Sequence, residues 1–211
     1  VALAPSVDAA IAAGIPVVFI DTQGSNEGIT FIGTDNVAGA ALAGKYFCDN
    51  LAAGSKVAIL QGIITQSTGQ ARYEGAKAAF EACGLTLVAE APAEWDTAKA
   101  QTATDDILTG NPELAGIFGS NDNMALGAVE SARSQNLLEQ LTIVGYDANP
   151  NAAAAILAGD MEATIAQSPK NIGGYGVESL IKLINGETLE PVIDTGTELV
   201  TAENAANYTG Q

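Results

Sequence analysis

The chain has 211 residues, 47% of them hydrophobic, enough to bury a substantial core in one large domain or two smaller ones. Eight Lys and Arg stand against 25 Asp and Glu, and the formal charge of −17 repels phosphate backbones and anionic lipid surfaces, which excludes nucleic acid as a partner. There is no His, and Cys48 and Cys83 are the only cysteines, so the sequence offers neither imidazole acid/base catalysis nor a clustered set of soft metal ligands, and no cofactor is expected.

In chain order, residues 5–13 read as a helix that leads directly into the apolar run 16–20, with Gly14 at the handover. Further β-branched and apolar runs at 57–60, 85–88, 115–118 and 142–144 read as buried parallel strands. Between them, Ala-rich amphipathic stretches at 37–51, 70–82, 97–108, 123–135 and 152–157 predict helices. Asp35 or Asn36 caps the first of these, and Gly84 ends the second. Past residue 160 the pattern changes to a strand at 162–167, a long helix at 169–185 and extended segments at 189–200. Alternation of this kind specifies an α/β fold with covered parallel sheets. The opening lacks the earlier strands that a sheet lobe needs, so the sequence is expected to start in the middle of a fold. No apolar run approaches the roughly 18 residues of a membrane-spanning helix.

Two short motifs lead nowhere. Gly39 to Tyr46 reads GAALAGKY, close to the phosphate loop, but Tyr46 cannot supply the metal-binding hydroxyl. It also lies inside a predicted helix, where Gly and Ala serve close packing. Asn207-Tyr208-Thr209 has only the form of a glycosylation acceptor, a pattern common by chance.

The polar residues that close the strands are more informative. Asp21, Asn121 and Asp147 each follow directly on a predicted strand, at the end where ligands of open α/β sheets collect. Any one of them alone reads as a helix cap or turn residue; three in register point to a site. Cys48 and Cys83 both fall at helix C-termini, which such a sheet places on the edge away from the ligand end. A disulfide between them and two buried thiols both fit that placement.

Eight segments in order carry a resemblance that covers essentially the whole chain: AGIPVVFIDT (13–22), FIGTDNVAGAALAGKY (31–46), KVAILQG (56–62), ARYEGAKAAF (71–80), PAEWDTAKA (92–100), GIFGSNDNMALGA (116–128), TIVGYDANP (142–150) and ATIAQSP (163–169). Together they resemble the type I periplasmic sugar-binding proteins of ABC importers, near the ribose-binding branch. The resemblance implies two lobes of parallel sheet flanked by helices and joined by three crossings, near 34–36, 167–168 and 195–199. One lobe is expected to comprise residues 36–167 with 197–211. The other comprises 1–35 with 168–196, is incomplete in this chain, and implies a complementing N-terminal segment as a partner.

By the same resemblance the ligand is a monosaccharide or polyol, delivered to a membrane permease in the periplasm or from an extracytoplasmic lipid anchor. Asp21 and Asp147 are expected to accept from its hydroxyls, Arg72 to donate, and Asn121 and Gln167 to do both, while Trp95 and Tyr146 occupy the family's aromatic positions. The sequence departs from the ribose pattern at Thr22, where the ribose-type motif has Arg, and the loss of a forked cationic donor argues against ribose itself. Two other classes compete with this one. The effector domain of a LacI-type sugar-responsive transcription regulator shares the fold, but the strong negative charge opposes a DNA-binding role. A glycosidase requires paired carboxylates, and nothing in the sequence marks Asp21 and Asp147 as one acid and one base.

Overall fold

The apolar runs of the larger sheet are too continuous to leave either of its faces in water, so its central strands must be covered on both sides. The computed structural model describes residues 3–210, and among them seven α-helices and nine strands carry out that covering. Three parallel strands, β1 (Phe19–Ile20), β2 (Phe31–Gly33) and β8 (Val192–Asp194), form one sheet in the order β1-β2-β8. The other six, β3 (Lys56–Gln61), β4 (Thr86–Pro92), β5 (Leu114–Gly119), β6 (Thr142–Val144), β7 (Ala163–Ala166) and β9 (Glu198–Thr201), pair in the order β4-β3-β5-β6-β7-β9. Helix α1 (Ala4–Ala12) precedes β1, and the remaining helices are α2 (Asn36–Asn50), α3 (Ser67–Ala82), α4 (Thr97–Gly110), α5 (Asp122–Ser134), α6 (Pro150–Ala158) and α7 (Pro169–Ile184).

Alternation along the strands sorts the core of the larger sheet. Val57 and Ile59 of β3, Phe118 of β5, Val144 of β6 and Ile165 of β7 pack with Phe47 of α2 and Phe80 of α3. Their neighbours Ala58, Leu60, Ile117 and Ile143 point the other way, against Ile107, Met124 and Ile156 of α4, α5 and α6. The Phe47 and Phe80 rings meet edge to face at 5.2 Å between centroids. Gly116 makes room for Phe47, because a Cβ there would collide with its ring. The near-miss phosphate motif lies wholly within α2, where Gly44 lies close against Ala79 of α3 and Gly39 against Tyr146. Asp35 is the α2 cap, its carboxylate accepting from Ala38 N at 2.9 Å.

The helices differ from the sequence expectation by up to three residues at their ends and β3, β5, β6 and β7 by no more than one, while the larger differences fall in β1 and β4. The run 16–20 pairs only from Phe19 onward, because Pro16 has no N–H and the ladder begins with Phe19 N donating to Thr30 O at 2.9 Å. Strand β4 continues through Ala89, Glu90 and Ala91 to Pro92, beyond the apolar run, because it is an edge strand that pairs with the whole of β3. The sheets are parallel as expected except at one edge, where β9 runs antiparallel to β7 over four residue pairs. It arrives from β8 of the other sheet through the short segment 195–197, without the crossover helix that a parallel neighbour requires.

Cys48 near the end of α2 and Cys83 just past α3 are joined in a disulfide, with Cα atoms 5.9 Å apart. Most of the exposed large apolar side chains lie around the smaller sheet: Ile11, Ile15, Ile20, Val177, Ile181 and Val192 among them.

Candidate functional site

The order β4-β3-β5 reverses the direction in which the sheet grows, and such a switch point opens a crevice at the carboxyl ends of the strands. A cleft of about 210 Å³ lies there, lined by Asp21, Thr22, Gln66, Thr68, Arg72, Trp95, Asn121, Asp147 and Gln167. The backbone is strained around it. Asp21 (φ 65°), Glu94 (51°), Trp95 (67°), Asp147 (114°) and Ala148 (55°) all occupy the left-handed region without being glycine. Conformations that cost of order 1–3 kcal/mol each persist where they aim side chains.

Arg72 is the hub. The residue is buried, at 5% exposure, and lines the cleft. Nε donates to Asn36 Oδ1 at 2.8 Å, and Nη1 donates to Ser120 O at 2.8 Å and to Asp147 Oδ1 at 3.2 Å. Nη2 takes no hydrogen-bond partner among the described residues and is not a buried orphan. The guanidinium carbon sits 3.8 Å from the Tyr146 ring centre on one side and 5.5 Å from that of Trp95.

The remaining polar groups are partly committed already. Asn121 caps α5, its Oδ1 accepting from Met124 N at 2.9 Å, which leaves the amide N–H₂ for a ligand. The cap occupies one of the two lone pairs of Oδ1. Gln167 donates to Asp147 Oδ1 at 2.7 Å, and its Oε1 accepts from Thr34 Oγ1 at 2.8 Å, so both of its ends are anchored. Thr22 donates to Asp21 Oδ2 at 3.3 Å. Burial pushes the Asp147 carboxyl up from its ordinary value, while the adjacent Arg72 charge and the Gln167 bond pull it back.

Trp95 is held rather than free. Its Nε1 donates to Gln66 Oε1 at 2.9 Å, and Gly62 packs so closely that a Cβ would strike the indole. Tyr146 is a correction: it has no exposed surface and does not line the cleft, so its ring supports Arg72 from beneath instead of meeting a ligand. The cause is its place in the strand pattern, since residue 146 points into the face shared with α2 while residue 147 turns to the cleft. Its hydroxyl is buried without a hydrogen-bond partner.

Sequence reasoning missed Gln66 and Thr68 in the wall, and Asn36 and Ser120 as the anchors of Arg72. Gln66 lies in the loop beyond the carboxyl end of β3 and Thr68 in the first turn of α3, several residues past the strand end, so a rule restricted to residues directly after a strand does not reach them.

A periplasmic binding protein domain matches residues 1–188. The D-ribose/D-allose-binding protein of Pseudomonas aeruginosa is 34% identical over 212 aligned positions, which cover 95% of this chain and 66% of that protein. The ribose import binding protein of Escherichia coli is 35% identical over 189, covering 89% and 64%. The chain thus spans a little under two thirds of the length of these relatives. Among solved structures, an ABC transporter solute-binding protein of Actinobacillus succinogenes with bound D-allose superposes with a TM-score of 0.90 at 33% identity, over 97% of this chain and 75% of that one. One from Bacillus halodurans with bound myo-inositol gives 0.91 at 26%, over 99% and 73%. With a matched domain over most of its length and a fold that follows these structures, the chain belongs to the periplasmic binding protein family.

Proposed function

We propose that this protein is the solute-binding component of an ABC importer and that it holds a monosaccharide or related polyol in the cleft around Arg72. The observation that carries the reading is the convergence of Asp21, Arg72, Trp95, Asn121 and Asp147 on one crevice with their hydrogen-bonding directions already set. A sugar hydroxyl both donates and accepts, and an unpaired one costs about 1–3 kcal/mol in a dry site, so such a ligand needs a mixed and pre-aimed set. Here Arg72 and Asn121 donate, the two carboxylates accept, Gln167 holds Asp147 in place, and the indole covers an apolar C–H face.

No chemical step belongs to this reading, and the protein is not an enzyme. Asp147 is bound to a guanidinium and an amide, which suits an acceptor and not a proton shuttle. The likeness to proteins named for ribose, allose and myo-inositol supports the ligand class. Thr22 in place of a second arginine argues for a ligand other than ribose.

In this account residues 1–35 with 168–196 and residues 36–167 with 197–211 are two lobes that close over the ligand in the periplasm, and the closed form docks on a permease. The apolar side chains left open on α1, β1, α7 and β8 support a further partner, a complementing segment of the same lobe. A thermal-shift screen of the intact protein against D-ribose, D-allose, D-fucose and myo-inositol tests the function. Ligand at 100 times its Kd stabilises by about 2.7 kcal/mol, and the absence of any shift across the four contradicts the proposal.

A further inference from the structure

We propose that Asp122, which does not reach the cleft, is a positioning residue for sugar binding: its carboxylate clamps the left-handed turn at 147–149 and so fixes the aim of Asp147. The inference rests on the binding function proposed above.

Asp122 is the first residue of α5 and is fully buried behind Asn121. Its Oδ2 accepts from Asn149 N at 2.6 Å, and its Oδ1 accepts from Thr164 Oγ1 at 2.6 Å. Thr164 Oγ1 in turn accepts from Ala148 N at 3.3 Å. On the near side, Asp122 N donates to Tyr146 O at 2.7 Å, and Asp147 N donates to Ile165 O at 2.7 Å. The backbone on both sides of the turn is therefore tied down, and the side chain of Asp147 is the part released toward the cleft. The fit beneath is close as well, since a Cβ at Gly145 would collide with Asp122 Oδ1.

The turn needs such a clamp. Asp147 and Ala148 are consecutive non-glycine residues at φ 114° and 55°, a backbone that relaxes unless its surroundings over-determine it. If it relaxed, Asp147 would leave Arg72 Nη1 and Gln167 Nε2 together, because both bond to the same oxygen. A carboxylate suits the clamp because it accepts at both oxygens, whereas an amide offers one acceptor. Burial pushes Asp122 up to about 7, opposed by the Thr164 and Asn149 bonds; Asp147 raises it further and Arg72 lowers it. Ionised Asp122 accepts at both oxygens. Once protonated it must turn one of them into a donor, so the clamp should loosen as the pH falls through neutrality.

Two arms test this. In the ligand-free protein, amide NMR from pH 5.5 to 8.5 should show the Ala148 and Asn149 resonances titrating near neutrality, with weaker protection from hydrogen exchange at the low end once the intrinsic pH dependence of exchange is divided out; Asp122→Asn should flatten the titration and lower the protection of both amides. In the ligand arm, calorimetry with whichever of the four sugars gives the largest thermal shift should show at least tenfold weaker binding for Asp122→Asn and for Thr164→Val. Thr164→Ser, which keeps the hydroxyl, should stay within threefold of wild type, and the near-neutral step in affinity should vanish in Asp122→Asn while the titration of Asp147 persists. If Asp122→Asn does not fold, the Thr164 pair decides. Wild-type affinity in Thr164→Val, or amides at 148 and 149 that ignore both pH and the substitution, overturns the clamp. A wild-type protein that binds none of the four sugars overturns the binding function instead, and the amide arm, read without ligand, still decides the clamp.

Discussion

Replacing Arg72 by Lys keeps the charge and removes the fork. The guanidinium serves three acceptors, Asn36 Oδ1, Ser120 O and Asp147 Oδ1, from two of its nitrogens. An ammonium on a shorter stem reaches one of them, and Asp147 is the natural choice. That leaves Asn36 Oδ1 and Ser120 O without this donor in a buried setting, at about 1–3 kcal/mol each or about 2–6 kcal/mol for the two. The flat stacking on Tyr146 at 3.8 Å is lost as well. For a chain of this size about 1 kcal/mol moves Tm by roughly 2–4 °C, so calorimetric melting of Arg72→Lys should fall by at least about 4 °C. On the proposed function, in which Nη2 donates to the ligand, affinity for a sugar should drop at least about tenfold, roughly 1.4 kcal/mol. A variant that melts within 1 °C of wild type and binds within twofold would refute the assignment of Arg72 as both pillar and ligand donor.

Tyr146→Phe removes a buried hydroxyl with no partner, so urea unfolding should show equal or greater stability, by up to about 1 kcal/mol, with sugar affinity unchanged. Reducing the Cys48–Cys83 disulfide frees a loop of 35 residues, and the chain-entropy estimate is a loss of about 3–4 kcal/mol, measured by unfolding with and without reductant. Asp122 has a folded-state value near 7, above the unfolded value near 3.9, so it favours folding below about pH 4 and loses that contribution as the pH rises through 7. Wild type should therefore lose stability between pH 5 and 8 relative to Asp122→Asn, while its sugar affinity changes in the opposite direction.

The β-branched runs and Ala-rich helices made the larger sheet legible because both faces of each strand are covered, and a doubly buried strand announces itself. Legibility failed where pairing rather than composition makes the strand. Ala89 to Pro92 extends only because β3 lies beside it, and β9 pairs antiparallel because of where the crossing delivers it. In the cleft, the residues that end strands were readable from position, and the resemblance supplied Arg72, Trp95 and Gln167. Tyr146 also came from the resemblance, and in the structure it lies buried against Arg72, because the strand pattern turns its side chain to the face shared with α2. Asn36, Ser120 and Asp122 stayed hidden for another reason: each acts through another residue, and such partnerships exist only in three dimensions.

The central claim is that a sugar occupies the crevice between Trp95 and Asp147, and the single tryptophan makes it directly measurable. Tryptophan emission should be titrated in the intact protein with D-ribose, D-allose, D-fucose and myo-inositol, in wild type and in Asp147→Ala. The account predicts a saturable change in emission with at least one of these ligands and its loss in Asp147→Ala. A sugar whose binding is established by calorimetry but leaves the emission unchanged, or titrates identically in Asp147→Ala, would contradict it.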